Sequence, residues 1–114
     1  MKSIVKEKSF NFALEIIGLY QRLKRKNEIV LAKQLLRSAT SIGANVEEAL
    51  AGQSRKDFLS KMSIASKEAR ETCYWLQLMS TSKFEGENYE PLLAKAQELK
   101  RILTSIVKTT REKS

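Results

Sequence analysis

Residues 58–79 read FLSKMSIASKEARETCYWLQLM, and within them Phe58, Met62, Ala65, Ala69, Thr72, Leu76 and Met79 recur at alternating steps of four and three. Residues at that spacing lie along one side of an α-helix. Three further rows carry it: Phe10-Ala13-Ile17-Tyr20, Ala32-Leu36-Ala39-Gly43-Val46-Leu50 and Leu92-Ala96-Leu99-Leu103-Ile106. Four such helices with short connections bury their stripes against each other, which predicts an all-α, antiparallel up-down-up-down four-helix bundle. The 114 residues suffice for one domain, 1–114, with a single core.

Local signals set the expected boundaries. The first helix is expected over 4–25, ending at Lys26-Asn27, because asparagine tolerates a left-handed C-terminal position. The second is expected from Glu28 to Ala51, before Gly52. Ser54-Arg55-Lys56-Asp57 reads as a capping box opening the third, which runs to about Ser82. Lys83 to Asn88 is the one substantial connection, and Tyr89-Glu90-Pro91 starts the fourth, since proline is tolerated in a first turn.

The first helix has more apolar surface than a bundle needs. Phe10, Ala13, Leu14, Ile17 and Tyr20 fill one arc, and Phe12, Ile16, Leu19 and Leu23 fill the next, so about 220° is apolar. With the first arc assigned to the core, Phe12, Ile16, Leu19 and Leu23 are the expected interface of a homo-oligomer, because soluble monomers rarely keep large apolar patches. On the second helix, Ser38, Ser41, Asn45 and Glu48 recur along the margin of the apolar face. Ser41, Asn45 and Glu48 are therefore expected to link helices by hydrogen bonds, with a ligand site as the alternative reading.

Composition excludes most chemistry. There is no histidine, hence no imidazole base, triad or Glu-x-x-His di-iron site. The single Cys73 cannot form an intramolecular disulfide or a structural zinc site. No glycine-rich phosphate loop occurs, so no catalytic residue, metal or cofactor is expected. Glu68 and Glu71 share a face with Trp75, but without a second catalytic group Glu68 reads as the ion-pair partner of a lysine or arginine on a neighbouring helix or a neighbouring subunit, and Trp75 as a packing anchor. The N-terminus lacks a signal-peptide run and no segment is apolar enough to span a membrane, so a cytoplasmic location is expected.

With 21 basic and 13 acidic residues the chain carries a net charge of +8, which favours polyanionic partners, nucleic acid first. Antiparallel connectivity would gather Lys2, Lys6, Lys8, Arg55, Lys56, Lys61, Lys108, Arg111 and Lys113 at the termini end of the bundle, the expected nucleic-acid site.

Ser41-Ile42-Gly43-Ala44-Asn45-Val46-Glu47-Glu48-Ala49, followed by Ser54-Arg55-Lys56-Asp57-Phe58, resembles the signature of a four-helix-bundle family first named for proteins encoded in large-subunit ribosomal RNA intervening sequences. Lys67-Glu68-Ala69-Arg70-Glu71-Thr72, Tyr74-Trp75-Leu76 and Leu103-Thr104-Ser105-Ile106-Val107-Lys108 are similar to a bacterial branch of it. Gly43 stands where the family has proline, and Ala49 where it has glycine. The resemblance implies a homopentameric assembly and no enzymatic activity. It extends to accessory proteins of diversity-generating retroelements, which bind a reverse transcriptase and nucleic acid. RNA or DNA is thus the expected ligand, and a protein scaffold or adaptor is the alternative.

Overall fold

Four helices and one short turn make up the computed structural model, which describes residues 3–113. The helices are α1 (Ile4–Arg25), α2 (Val30–Leu50), α3 (Arg55–Thr81) and α4 (Glu90–Glu112), with a 3-10 turn at Phe84–Gly86 between α3 and α4 and no strand among the described residues. The bundle measures 46 × 23 × 22 Å. Each helix has two principal neighbours: α1 packs on α2 and α4, and α3 packs on α2 and α4.

The ends of the helices follow from local chemistry. The side chain of Ser54 accepts from the Asp57 amide at 3.0 Å, and that of Ser3 accepts from Lys6 at 3.2 Å, so both cap amides that the first turn leaves unpaired. Asn27 has a φ of 62°, the left-handed conformation expected where α1 stops. Between α3 and α4 the chain passes through positive φ at Lys83, Glu85 and Gly86. Tyr89 anchors this turn from inside: it is buried, and its hydroxyl donates to the Phe84 carbonyl at 2.6 Å. Burial, reinforced by the charges of Glu87 and Glu85, pushes the Tyr89 phenol up to about 12.

The core confirms the α3 row from Met62 to Met79, with Phe58 half-buried at its start. On α4 the inner row is Leu92, Ala96, Leu99, Leu103 and Val107, with Ile106 beside it. On α2 the inner row is Ala32, Leu35, Ala39, Ile42, Val46 and Ala49, so Leu35, Ile42 and Ala49 stand inside where Leu36, Gly43 and Leu50 were expected. Gly43 instead faces α1, where an added Cβ would lie 3.5 Å from the Ser9 carbonyl oxygen, ordinary van der Waals contact.

Helix α1 reverses the sequence-based assignment. Phe12, Ile16, Leu19 and Leu23 are buried to 2% exposure or less inside a single chain, so they are core residues and not an oligomer interface. Phe10, Leu14 and Ile17, expected inside, are the exposed ones, at 59%, 53% and 38%. The physical reason is continuity. Val5, Ser9, Phe12, Ile16, Leu19 and Leu23 form one unbroken four-three row along the whole helix, whereas the Phe10 row covers only its middle.

The polar ladder of α2 also behaves differently from expectation. The Asn45 side-chain amide donates to the Ser41 carbonyl at 2.9 Å, and the Ser41 hydroxyl to the Arg37 carbonyl at 2.7 Å, both within α2. Asn45 is half-buried and Glu48 exposed. The bond that crosses helices involves the fourth member of the series: the buried Thr72 hydroxyl donates to Ser38 Oγ at 2.9 Å, linking α3 to α2. Ser41 and Asn45 are only half-buried and Glu48 is exposed, whereas Ser38, one turn before Ser41, is fully buried.

The two α1 rows should separate in denaturant titrations. Leu19→Ala should cost about 2–5 kcal/mol, the range for large-to-small changes in a core. Leu14→Ala should change chain stability by no more than about 0.5 kcal/mol, as expected of an exposed site, when measured under conditions that keep the protein monomeric.

Candidate functional site

Charged residues on these helices are sorted by face. On α3, Glu68 and Glu71 turn toward α2 and are both engaged by Arg37, whose Nη1 lies 3.2 Å from Glu68 Oε2 and whose Nη2 bonds Glu71. This bears out the ion-pair reading of Glu68. Trp75 Nε1 donates to Glu71 Oε2 at 3.0 Å, and its ring meets that of Tyr74 edge-on at 5.2 Å. The Trp75 hydrogen bond, then Arg37, hold the Glu71 carboxyl below the usual carboxylate range against the opposing pull of burial. Trp75 itself is half-buried against the core.

Helix α4 is sorted in the same way. Its α1 edge is neutralised: Lys95 Nζ lies 2.7 Å from Glu15 Oε2, and Glu98 Oε1 lies 3.1 Å from Lys8 Nζ. Its α3 edge is different. From Leu99 to Arg111 the helix carries Lys100, Arg101, Lys108 and Arg111 and no acid. Lys108 and Arg111 line a notch of about 270 Å³ together with Thr104, Val107 and Glu112 of α4 and Ser66 and Arg70 of α3. Arg70 Nη1 donates to Ser66 Oγ at 3.4 Å. Lys100 and Arg101 lie near the half-buried Cys73 of α3, where they oppose the burial that pushes its thiol up.

The cations expected at the termini end are therefore distributed. Lys2 lies outside the described residues. Lys6 pairs with Glu47 at 3.6 Å, and Lys8 with Glu98. Arg55 bonds the Lys113 carbonyl and shares a second notch with Phe58, Thr109, Thr110 and Lys113. Lys56 is exposed and Lys61 half-buried. The structure brings Lys108 and Arg111 together with Arg70, a residue that reading by bundle ends missed. The available signal was the acid-free run of α4 opposite Arg70.

The apolar counterpart lies on the other side of the molecule. Phe10 and Ala13 border a groove of about 270 Å³ whose α2 wall is Thr40, Gly43 and Ala44, with Glu47 at its edge. On α3, Ile64 and Leu78 are also exposed, at 40% and 39%. No helix among the described residues is long and apolar enough to cross a membrane.

Comparison with known proteins places these features in context. Residues 1–105 match the family model described as 23S rRNA-intervening sequence protein. A crystal structure of a protein of unknown function from the S23 ribosomal protein family, from Bacteroides thetaiotaomicron VPI-5482, is similar at 46% identity and a TM-score of 0.85, covering 92% of this chain and 99% of that one. No curated protein matches.

The Glu71 arrangement predicts a pH response. Its folded pKa is lowered from the ordinary 4.5, so the stability it contributes is present above that value and is lost as pH falls through the folded value. Trp75 emission should therefore change in a step below pH 4.5, and Glu71→Gln should remove that step.

Proposed function

Since this chain belongs to the 23S rRNA-intervening sequence protein family, we propose that it is a homo-oligomeric protein of the bacterial cytoplasm that acts by binding nucleic acid, RNA in the first place, rather than by catalysis. The observation that carries this reading is the net charge of +8 on a fold in which Glu15, Glu47, Glu68, Glu71, Glu87 and Glu98 are already engaged in ion pairs. Unpaired cations on a rigid helical surface attract phosphates, and each neutralised phosphate releases counterions, which makes such binding salt-sensitive.

Neighbouring helices run antiparallel in this reading. The pairings of Lys8 with Glu98, Glu15 with Lys95 and Arg22 with Glu87 support it, since residue numbers rise along α1 as they fall toward the start of α4.

Self-association rests on the outer row of α1. Phe10, Leu14 and Ile17 are exposed at four-three spacing beside small α2 residues, a ridge next to a groove that a second copy can fill. The exposed α3 residues Ile64 and Leu78 lie on a different helix and are not part of this ridge. Unlike apolar surfaces on two helices favour a head-to-tail contact, which closes as a ring when the rotation permits. The pentamer implied by the family resemblance is one such ring.

Solution mass and absorbance ratio on freshly purified protein test both parts. The wild type should be an oligomer at micromolar concentration and should carry nucleic acid that high salt removes. Phe10→Glu with Leu14→Glu should give a monomer with unchanged helical signal. A monomeric wild type would refute the assembly. A clean protein that captures one specific protein partner would favour the adaptor reading.

A further inference from the structure

The charge sorting on α3 and α4 points to a more specific site than a basic end of the bundle. Lys6, Lys8 and Lys95 each face a carboxylate on another helix. Arg70, Lys100, Arg101, Lys108 and Arg111 form no ion pair among the described residues. They also share one side of the molecule. Arg101, Thr104, Lys108 and Arg111 follow a three-four-three spacing on α4, Lys100 sits one residue before the row, and Arg70 faces it from α3.

We propose that the α3–α4 cleft is a phosphate-binding track for RNA, with the notch of Ser66, Arg70, Thr104, Lys108 and Arg111 seating one backbone phosphate and Lys100 and Arg101 continuing the track toward the middle of the bundle. This rests on the nucleic-acid reading above and gives it a location.

Three observations favour the track. The notch combines two guanidinium groups and an ammonium group with two hydroxyls, the donor set that phosphate oxygens accept from, and guanidinium can do so through paired parallel bonds. Residues 100–111 of α4 extend about 16 Å at 1.5 Å per residue. That length exceeds the spacing of successive phosphates along a strand, so the track can meet more than one of them. Finally, the surplus apolar residues Phe10, Leu14 and Ile17 lie on α1, and Ile64 and Leu78 belong to the α3 face that Glu71 shares. Self-association through those surfaces leaves the α3–α4 cleft open. Glu112 is the one carboxylate among the notch residues, it holds the last helical position of α4, and the two guanidinium groups and the ammonium group outnumber it.

The test is a salt series of binding to a fluorescent 20-nucleotide single-stranded RNA. Three proteins are compared: wild type, the notch variant Arg70→Gln/Lys108→Gln/Arg111→Gln, and a variant with the same net charge, Lys24→Gln/Arg25→Gln/Lys33→Gln. At low salt the notch variant should bind at least about tenfold more weakly. Its salt slope should drop by about 0.7 log unit per log unit of salt, the amount for the one single-strand phosphate that is no longer neutralised. The charge-matched variant should stay within about threefold of wild type. Lys100→Gln/Arg101→Gln is a second, independent variant, which should weaken binding in the same direction if the notch variant fails to fold. Wild-type affinity in folded notch and Lys100/Arg101 variants would overturn the track while leaving RNA binding intact. Equal losses in the notch and charge-matched variants would overturn it in favour of an unlocalised charge effect. A wild type that binds no RNA at low salt would overturn both the track and the reading beneath it.

Discussion

A four-helix core admits one apolar row from each helix, and α1 carries two. The inner row of Phe12, Ile16, Leu19 and Leu23 is buried because it runs unbroken from Val5 to Leu23 and can meet α2 and α4 along its whole length. Burying each large side chain contributes on the order of 1.5–3 kcal/mol, so a row spanning the helix outweighs a shorter one. The outer row of Phe10, Leu14 and Ile17 is then left facing solvent. This one choice of rotation fixes where the remaining charges and apolar residues of α1 fall, and with them which surface meets other molecules.

The same rotation explains the close approach of α1 and α2. Ser9 takes an inner position of α1 directly opposite Gly43, and both are small enough for the backbones to come together. A seam this close requires small residues, and the gap beside it is the groove that Phe10 borders. Ser38 and Thr72 lock the next seam, between α2 and α3, with a hydrogen bond that is wholly buried. Such a bond contributes modestly when made, but stranding either hydroxyl costs about 1–3 kcal/mol, which disfavours slipped registers of the two helices. Charge is then distributed around this frame: Arg37 neutralises the α2 side of α3, Lys8 and Glu15 neutralise the α1 side of α4, and the cleft between α3 and α4 is left cationic.

Much of this is legible from spacing alone. The α3 row from Met62 to Met79 reads correctly because its polar residues fall in a separate arc, and Ser54 and Asn27 mark helix ends by their own backbone chemistry. The orientation of α1 misleads because both of its arcs are apolar, and composition within an arc does not say which is inside. The length of the unbroken row does say so, but the polar Ser9 within it hides that signal. Asn45 misleads because amide residues at the margin of a helix face bond their own backbone as readily as another helix, and here the bond goes to Ser41. For the candidate site, counting cations at each end of the bundle ignores pairing. Lys6 and Lys8 are answered by Glu47 and Glu98, whereas Arg70, Lys100 and Arg101 have no ion pair among the described residues and gather at one cleft, which only the packing of α4 on α3 reveals.

The central claim is that the unpaired cations gathered at the α3–α4 cleft, and not those answered by carboxylates of other helices, are the ones a polyanion would meet. Lysine acetylation mapped by mass spectrometry on the intact protein, with and without a single-stranded RNA, tests it residue by residue. The account predicts that RNA shields Lys100 and Lys108 from acetylation while the reactivities of Lys6, Lys8 and Lys95 stay unchanged. Shielding confined to Lys6, Lys8 and Lys56, with Lys100 and Lys108 still fully reactive, would contradict it.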